Sequence, residues 1–210
     1  MAGFFRPSIF FVKDRMKYED YLKYYPGFPF KGINFVDIIP LMQDKSVFRS
    51  IIRDLGALCA SPNIVAPEAR GFLFAAPMLT ECSNIRNIVP MRKKGKLPFR
   101  KGDLVSVDIT KEYGKDTLYF RLSDVAAGKP EGDVFNITFF DDVLATGGTA
   151  IGVARALEKI TVVKDGREYG IKVKDFVFLV ELDDLKGRNK LGEIAPVKSL
   201  IHLAGTDESL

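Results

Sequence analysis

The sequence predicts an α/β fold with a mainly parallel central sheet flanked by helices. Two observations carry this. Three apolar runs rich in branched residues each give way to turn residues, and the pattern of the chain alternates between strand and helix signals. A fourth run, Phe176–Leu182, is apolar almost throughout, as a strand covered on both faces should be. Ligands of such sheets bind beyond the carboxyl ends of the strands.

The elements follow in order. Near the N-terminus, Ile9–Val12 is apolar but closed in by Arg6 and Lys13, too short for a secretory signal. Asp44 is placed to cap a helix running from Lys45 to about Cys59, with Val47, Phe48, Ile51, Ile52, Leu55 and Leu58 as its apolar stripe. The first strand, Asn63–Ala66, passes through Pro67–Gly71 into a helix over Phe72–Glu81. The second, Asn84–Pro90, ends at a basic loop. Asp103–Ile109 and Thr117–Leu122 then flank a polar tip as a two-stranded excursion. The third strand, Val134–Phe140, leads through Asp141–Thr149 into a helix whose Ala150, Val153, Ala154 and Leu157 share one face. Asp165-Gly166-Arg167 reads as a turn, and Ser199–Leu203 as a late strand.

Composition narrows the chemistry. The chain has 210 residues, 47% hydrophobic and 28% charged, which suits a globular domain with a real core. One histidine, His202, and two scattered cysteines, Cys59 and Cys82, argue against a zinc finger and a disulfide framework. No uncharged stretch nears the roughly 20 residues a membrane span needs. The expectation is a soluble, cytoplasmic protein with no membrane partner, whose chemistry rests on carboxylates, cations and backbone amides.

The formal net charge is +4, from 31 Lys and Arg against 27 Asp and Glu. Six of those cations, Arg92, Lys93, Lys94, Lys96, Arg100 and Lys101, fall in one acid-free stretch. Without them 25 basic residues face 27 acidic ones, so the excess is local. A solvated loop, a nucleic-acid patch and a site for a compact polyanion all fit such a run. Nucleic acid is disfavoured, because Phe99 is the single stacking aromatic there and no binding motif surrounds it.

The most informative stretch is Ile137–Thr149, where an apolar strand ends in Asp141 and Asp142 and a small-residue turn opens a helix. Ala145, Thr146, Gly147, Gly148 and Thr149 can offer successive N–H groups and two hydroxyls to a phosphate at the helix N-terminus. Two adjacent carboxylates would repel that phosphate unless a ribose stands between, its hydroxyls donating to Asp141 and Asp142. The loop is neither a Walker A sequence nor a G-x-G-x-x-G fingerprint.

This string resembles the phosphoribosyl pyrophosphate signature of type I phosphoribosyltransferases, and its Ala-Thr-Gly-Gly-Thr form is similar to that of the adenine phosphoribosyltransferase family. Further segments match that family in order: Phe28–Ile33, Asp37–Leu41, Glu68–Phe72, Arg92–Pro98, Glu112–Lys115, Val180–Leu182 and Leu185–Arg188. The resemblance covers roughly residues 25–203. It implies a type I phosphoribosyltransferase-like domain over 25–210, with a small hood at 25–42, a β-hairpin flexible loop at about 97–122, and an N-terminal extension at 1–24. The extension and the connection over Thr161–Val173, longer than the family usually has, carry no assigned chemistry.

The resemblance also implies a reaction and its residues. Adenine and phosphoribosyl pyrophosphate, with Mg2+, give AMP and pyrophosphate. Glu112 is the implied acid/base. Asp141, Asp142, Ala145, Thr146, Gly147, Gly148 and Thr149 bind the ribose phosphate, while Arg70, Arg92, Lys96 and Tyr113 face the pyrophosphate. Ile33, Phe35, Val36 and Leu182 hold the base. No residue is expected to bind the metal directly, since the substrate phosphates hold it. A homodimer is implied, and a non-proline cis peptide at Glu68-Ala69. The family commonly has Arg where Val36 precedes Asp37, a departure that keeps a 6-oxopurine or another base in view. A non-catalytic sensor of phosphoribosyl pyrophosphate is the alternative outside enzymology.

Overall fold

The computed structural model describes residues 16–111 and 114–204. The chain forms two compact units, Met1–Val47 and Phe48–Leu210.

In the first unit, β1 (Lys23–Pro26) and β2 (Asn34–Asp37) pair antiparallel, with Tyr25 opposite Phe35. The turn between them contains a cis Phe28-Pro29 bond, and the Phe28 ring meets Phe35 edge-on at 5.2 Å. Tyr18, Leu22, Val36, Ile38 and Leu41 are buried.

The second unit is built on one sheet. Its strands are β3 (Asn63–Pro67), β4 (Asn87–Lys93), β5 (Leu104–Lys111), β6 (Gly114–Arg121), β7 (Val134–Leu144), β8 (Thr161–Lys164), β9 (Arg167–Leu182) and β10 (Val197–Leu203). The order is β10-β9-β7-β3-β4-β6-β5, and β8 pairs with β9. The five strands from β10 to β4 run parallel, whereas β5, β6 and β8 pair antiparallel. The predicted mainly parallel sheet is present. The helices are α1 (Lys45–Leu58), α2 (Arg70–Glu81), α3 (Leu122–Ala126), α4 (Gly148–Leu157) and α5 (Gly187–Gly192). None is long and apolar enough to cross a membrane.

Local chemistry explains the elements. Asp44 Oδ1 accepts from the N–H groups of Ser46 (2.8 Å) and Val47 (3.0 Å), the expected cap of α1. On α4, Ala150, Val153, Ala154 and Leu157 are all buried, as their spacing predicts. Phe176–Val180 is buried on both faces of the sheet. Asp165 (φ 53°) and Gly166 (φ 75°) make the tight turn joining β8 to β9, so the long connection over 161–173 is a hairpin continuous with the central strand. Several boundaries differ from expectation, among them β9, which begins at Arg167 and not at Phe176. β4 starts at Asn87 and runs on through Arg92 and Lys93, because it pairs with β6 there. β7 continues through Asp141–Leu144, because β9 offers register partners that far. Helix α2 starts two residues early, at Arg70.

The amino end of the sheet is closed by a buried polar network. Asp175, at 1% exposure, accepts from Thr138 Oγ1 (2.6 Å) and the Ala60 N–H (2.9 Å), and pairs with Lys198 Nζ (2.8 Å). Lys198 also donates to the Leu58 carbonyl at 2.6 Å. Such a carboxylate tolerates burial because both oxygens accept hydrogen bonds and one of the donors is a cation. Asp175→Ala leaves these donors unmatched and should lower the free energy of unfolding by about 3–5 kcal/mol, measured by urea titration. A loss below about 1 kcal/mol would show that the network is ornamental.

Candidate active site

At the carboxyl end of β7, Asp141 and Asp142 stand side by side. Asp142 is buried, with Arg70 Nε at 2.7 Å from its Oδ2. That contact is an ion pair, since Oδ2 receives no aligned hydrogen bond. Asp141 Oδ1 accepts from the Asp142 N–H at 2.9 Å. The approach of α2 depends on Gly71, where a Cβ would lie 3.3 Å from Asp141 Oδ1. Burial, then the neighbouring Asp142 charge, push the Asp141 carboxyl well above the ordinary aspartate range, with Arg70 acting in the opposite sense.

Beyond the aspartates the chain turns through Ala145 and Thr146 to Gly147, which sits in the left-handed region (φ 78°, ψ 5°) as the residue before α4. Opening residues of a helix have N–H groups without intrahelical acceptors. Here the Ile151 N–H already bonds back to the Gly147 carbonyl at 3.0 Å, so the donors available to a ligand are those just ahead of it. Residues 145–149 are partly exposed, which leaves this nest open to an anion.

A second cluster forms where β3 ends beside β4. The Glu68-Ala69 peptide is cis. Glu68 donates its N–H to the Met91 carbonyl (2.9 Å), and its Oε1 accepts from the Lys93 N–H (2.9 Å). Its Oε2 meets Arg92 Nε at 2.5 Å. The Arg92 guanidinium lies 5.8 Å from the Phe72 ring centroid. Burial pushes the Glu68 carboxyl up, but the hydrogen bonds from Arg92 and Lys93 and the charges of both outweigh it, holding it below the ordinary glutamate range. Lys96 is exposed on the turn that follows, whose Gly95 has φ 74°.

The remaining predicted residues are distributed as follows. Glu112 and Tyr113 lie outside the described residues. Between β5 and β6, Thr117 Oγ1 donates to Asp108 Oδ1 at 3.0 Å. Ile33, Phe35 and Val36 belong to the first unit; Val36 is buried at 7% exposure, whereas Ile33 and Phe35 are partly exposed. Beside them Asn34 Oδ1 is buried with no hydrogen-bond partner among the described residues. Leu182 ends β9, partly exposed, opposite Leu203 of β10.

One cluster of metal-ligand type exists among the described residues: Glu181, Asp183 and His202, whose ligating atoms lie within 4.8 Å of one another. Both Glu181 oxygens are already engaged. Arg188 forks onto them at 2.8 and 2.6 Å, and Ser199 Oγ donates to Oε2 at 2.5 Å. His202 Nδ1 stands 3.0 Å from Asp183 Oδ1. This arrangement is a hydrogen-bonded cluster around an arginine. A groove of about 1170 Å3 lies elsewhere, between Phe99–Asp103 and Val163–Asp165, and is lined by neither Asp141, Asp142 nor the nest.

No protein-family model matches the chain. Sequence relatives do. The adenine phosphoribosyltransferase of Methanococcus maripaludis is 39% identical over 167 residues, covering 78% of this chain and 86% of its own. The chain belongs to the adenine phosphoribosyltransferase family. Solved structures agree. The family member from Thermoanaerobacter pseudethanolicus superposes with a TM-score of 0.72 at 35% identity, over 89% of this chain and 98% of its own. The Saccharomyces cerevisiae member, crystallised with adenine and an imino-altritol bisphosphate, gives 0.67 at 31% identity, over 86% and 94%.

Against the family signature, the structure brings together Asp141, Asp142, Arg70 and the nest, and ties Arg92 to Glu68. The cis peptide implied by the family resemblance is at Glu68-Ala69. Sequence reasoning missed the part played by Glu68, though a signal was present: an acid two residues before Arg70, in a family-matching segment, with no role assigned. It also gave no role to Glu181 and Arg188.

The aspartate pair generates a prediction. The folded chain holds the Asp141 proton to a higher pH than the unfolded chain does, so stability falls as pH rises from the ordinary aspartate value toward the raised one. Asp141→Asn removes this titration. At pH 7 it should stabilise the fold by about 1 kcal/mol, and the gain should vanish as pH falls to about 4. Thermal melts from pH 4 to 8 test this; a gain independent of pH would rule out carboxylate repulsion as its cause.

Proposed function

We propose that this chain transfers the 5-phosphoribosyl group of phosphoribosyl pyrophosphate to adenine, giving AMP and pyrophosphate in purine salvage. The observation that carries this reading is the carboxylate pair at the end of β7, with Arg70 paired to Asp142 and a partly exposed backbone turn following at once. Few ligands need adjacent diol acceptors and a phosphate site one turn apart; a ribose 5-phosphate does. Family membership supports the same substrates.

The chemistry is a displacement at the anomeric carbon. Its bond to the pyrophosphate oxygen breaks, the bond to the imidazole nitrogen of adenine forms, and the base gives up one proton. Asp141 and Asp142 accept from the ribose hydroxyls, and residues 145–149 hold the 5-phosphate. Arg70, Arg92, Lys96 and Tyr113 stabilise charge on the departing pyrophosphate. Glu112 takes the adenine proton, and hairpin closure excludes water from a reactive cation. Ile33, Phe35, Val36 and Leu182 contact the base. The burial of Val36 supports a role through its backbone, which weakens the case for altered specificity at this position.

Mg2+ fits this donor set as a passenger of the substrate. The buried Asp142 Oδ2 already faces Arg70, so direct coordination would have to displace that cation. Carried in by the substrate, the ion would supply charge neutralisation at the leaving group. The reading extends to a cytoplasmic homodimer, which gel filtration and light scattering can check.

Steady-state rates with adenine, hypoxanthine, guanine and xanthine test the base. Adenine should lead by at least ~10²-fold, because a 6-oxo group sets oxygen against a backbone acceptor. A hypoxanthine preference would overturn the assignment. Glu112→Gln should cut turnover at least ~10²-fold while leaving phosphoribosyl pyrophosphate affinity nearly intact. An unchanged rate removes Glu112 from the mechanism, and absence of turnover in the wild type with every base would favour a sensor.

A further inference from the structure

Helix α5 begins where no side chain fits. A Cβ on Gly187 would lie 2.1 Å from the Ala145 carbonyl oxygen, 2.9 Å from Leu144 Cδ1 and 3.0 Å from the Thr146 carbonyl carbon. The contact is reciprocal. A Cβ on Gly147 would meet Leu191 Cδ1 at 3.3 Å and the Gly187 carbonyl oxygen at 3.4 Å. The turn after β7 and the start of α5 thus pack backbone against backbone, and Leu191 is fully buried beneath them.

The next residue reaches the neighbouring strand. Arg188 forks onto Glu181 of β9 and donates from Nη1 to the Val197 carbonyl of β10 at 3.0 Å. Glu181 is in register with Leu144 and precedes Leu182. Two consecutive residues therefore hold two adjacent strand exits, one opening into the nest and the other ending at Leu182. A bidentate fork fixes orientation as well as distance.

We propose that Gly187 and Arg188 are positioning residues for the transfer reaction, Gly187 setting the conformation of the 5-phosphate turn and Arg188 that of the base-side end of β9. The proposal rests on reading residues 145–149 as the phosphate site and Leu182 as a base contact. Neither residue touches substrate. A methyl group at 187 must push the Ala145 carbonyl away by about 1 Å, and a misplacement of that size can cost ~10²-fold in catalysis.

The test uses the full chain. Gly187→Ala should raise the KM for phosphoribosyl pyrophosphate and the calorimetric Kd for ribose 5-phosphate at least ~10-fold, with the KM for adenine within ~3-fold. Arg188→Lys keeps the charge and loses the fork. It should raise the adenine KM at least ~5-fold, with ribose 5-phosphate affinity within ~2-fold. This split is the readout, since general loosening would move both constants in both variants and would overturn the proposal. Unchanged ribose 5-phosphate affinity in Gly187→Ala also overturns it, even with a lowered melting temperature. If Gly187→Ala shows no cooperative unfolding, Leu191→Val loosens the same contact more gently and must still weaken ribose 5-phosphate binding; unchanged binding overturns the proposal. Wild-type protein that binds no ribose 5-phosphate defeats the phosphate reading and this proposal together. Binding by the wild type and equally by Gly187→Ala defeats this proposal alone.

Discussion

Two carboxylates side by side at a strand end repel each other, and burial sharpens that conflict unless a cation is fixed beside them. Much of the second unit's carboxyl edge can be understood as the solution to that problem. Arg70 supplies the cation at 2.7 Å from Asp142, and it can do so because α2 begins at that residue, directly after the β3 loop. Gly71 then lets the helix pass Asp141 without a clashing methyl group. The conflict is not fully relieved, since burial first and the Asp142 charge second still hold the Asp141 proton well above the ordinary aspartate range. Residues held in such a conflicted state are the usual cost of preorganisation.

The two ends of the sheet use polar groups differently. At the amino end Asp175, Thr138 and Lys198 satisfy one another and the backbone around them, so nothing there invites a ligand. At the carboxyl end Asp142 Oδ2 has an ion pair without an aligned hydrogen bond, and the α4 turn exposes its leading donors. The same residue types, along the same strands, are thus fully partnered at one end and incompletely partnered at the other. The difference lies in whether the partners are complete.

Much of this was legible in the sequence. The spacing of Ala150, Val153, Ala154 and Leu157 specified the buried face of α4, and Asp44 its role as a cap, because these signals are local. The strand exit into Asp141 and the small residues after it carried the site for the same reason. Long-range pairing was less legible. Whether β7 stops at Phe140 or continues to Leu144 depends on what β9 offers opposite it, and the tie between Glu68 and Arg92 spans 24 positions. Gly187 is the clearest case. Read locally it is a turn glycine after Lys186; only the Ala145 carbonyl 42 positions upstream explains why no side chain is tolerated.

The basic run also changes meaning with its partners known. As sequence it was six cations without an acid, a run that fits a solvated loop as well as a site for a compact polyanion. In the fold its first member is not free charge: Arg92 is bound by Glu68 at 2.5 Å and stacked over Phe72. An arginine so held contributes orientation more than net charge, because its guanidinium plane is set before any anion arrives. Lys93, Lys94 and Lys96, exposed on the turn beyond, contribute charge with little orientation. A leaving group that departs with its charge growing has use for both kinds, one to fix the direction of departure and one to lower the potential along it. Glu68, which lies outside the basic run in sequence, is what separates the two kinds.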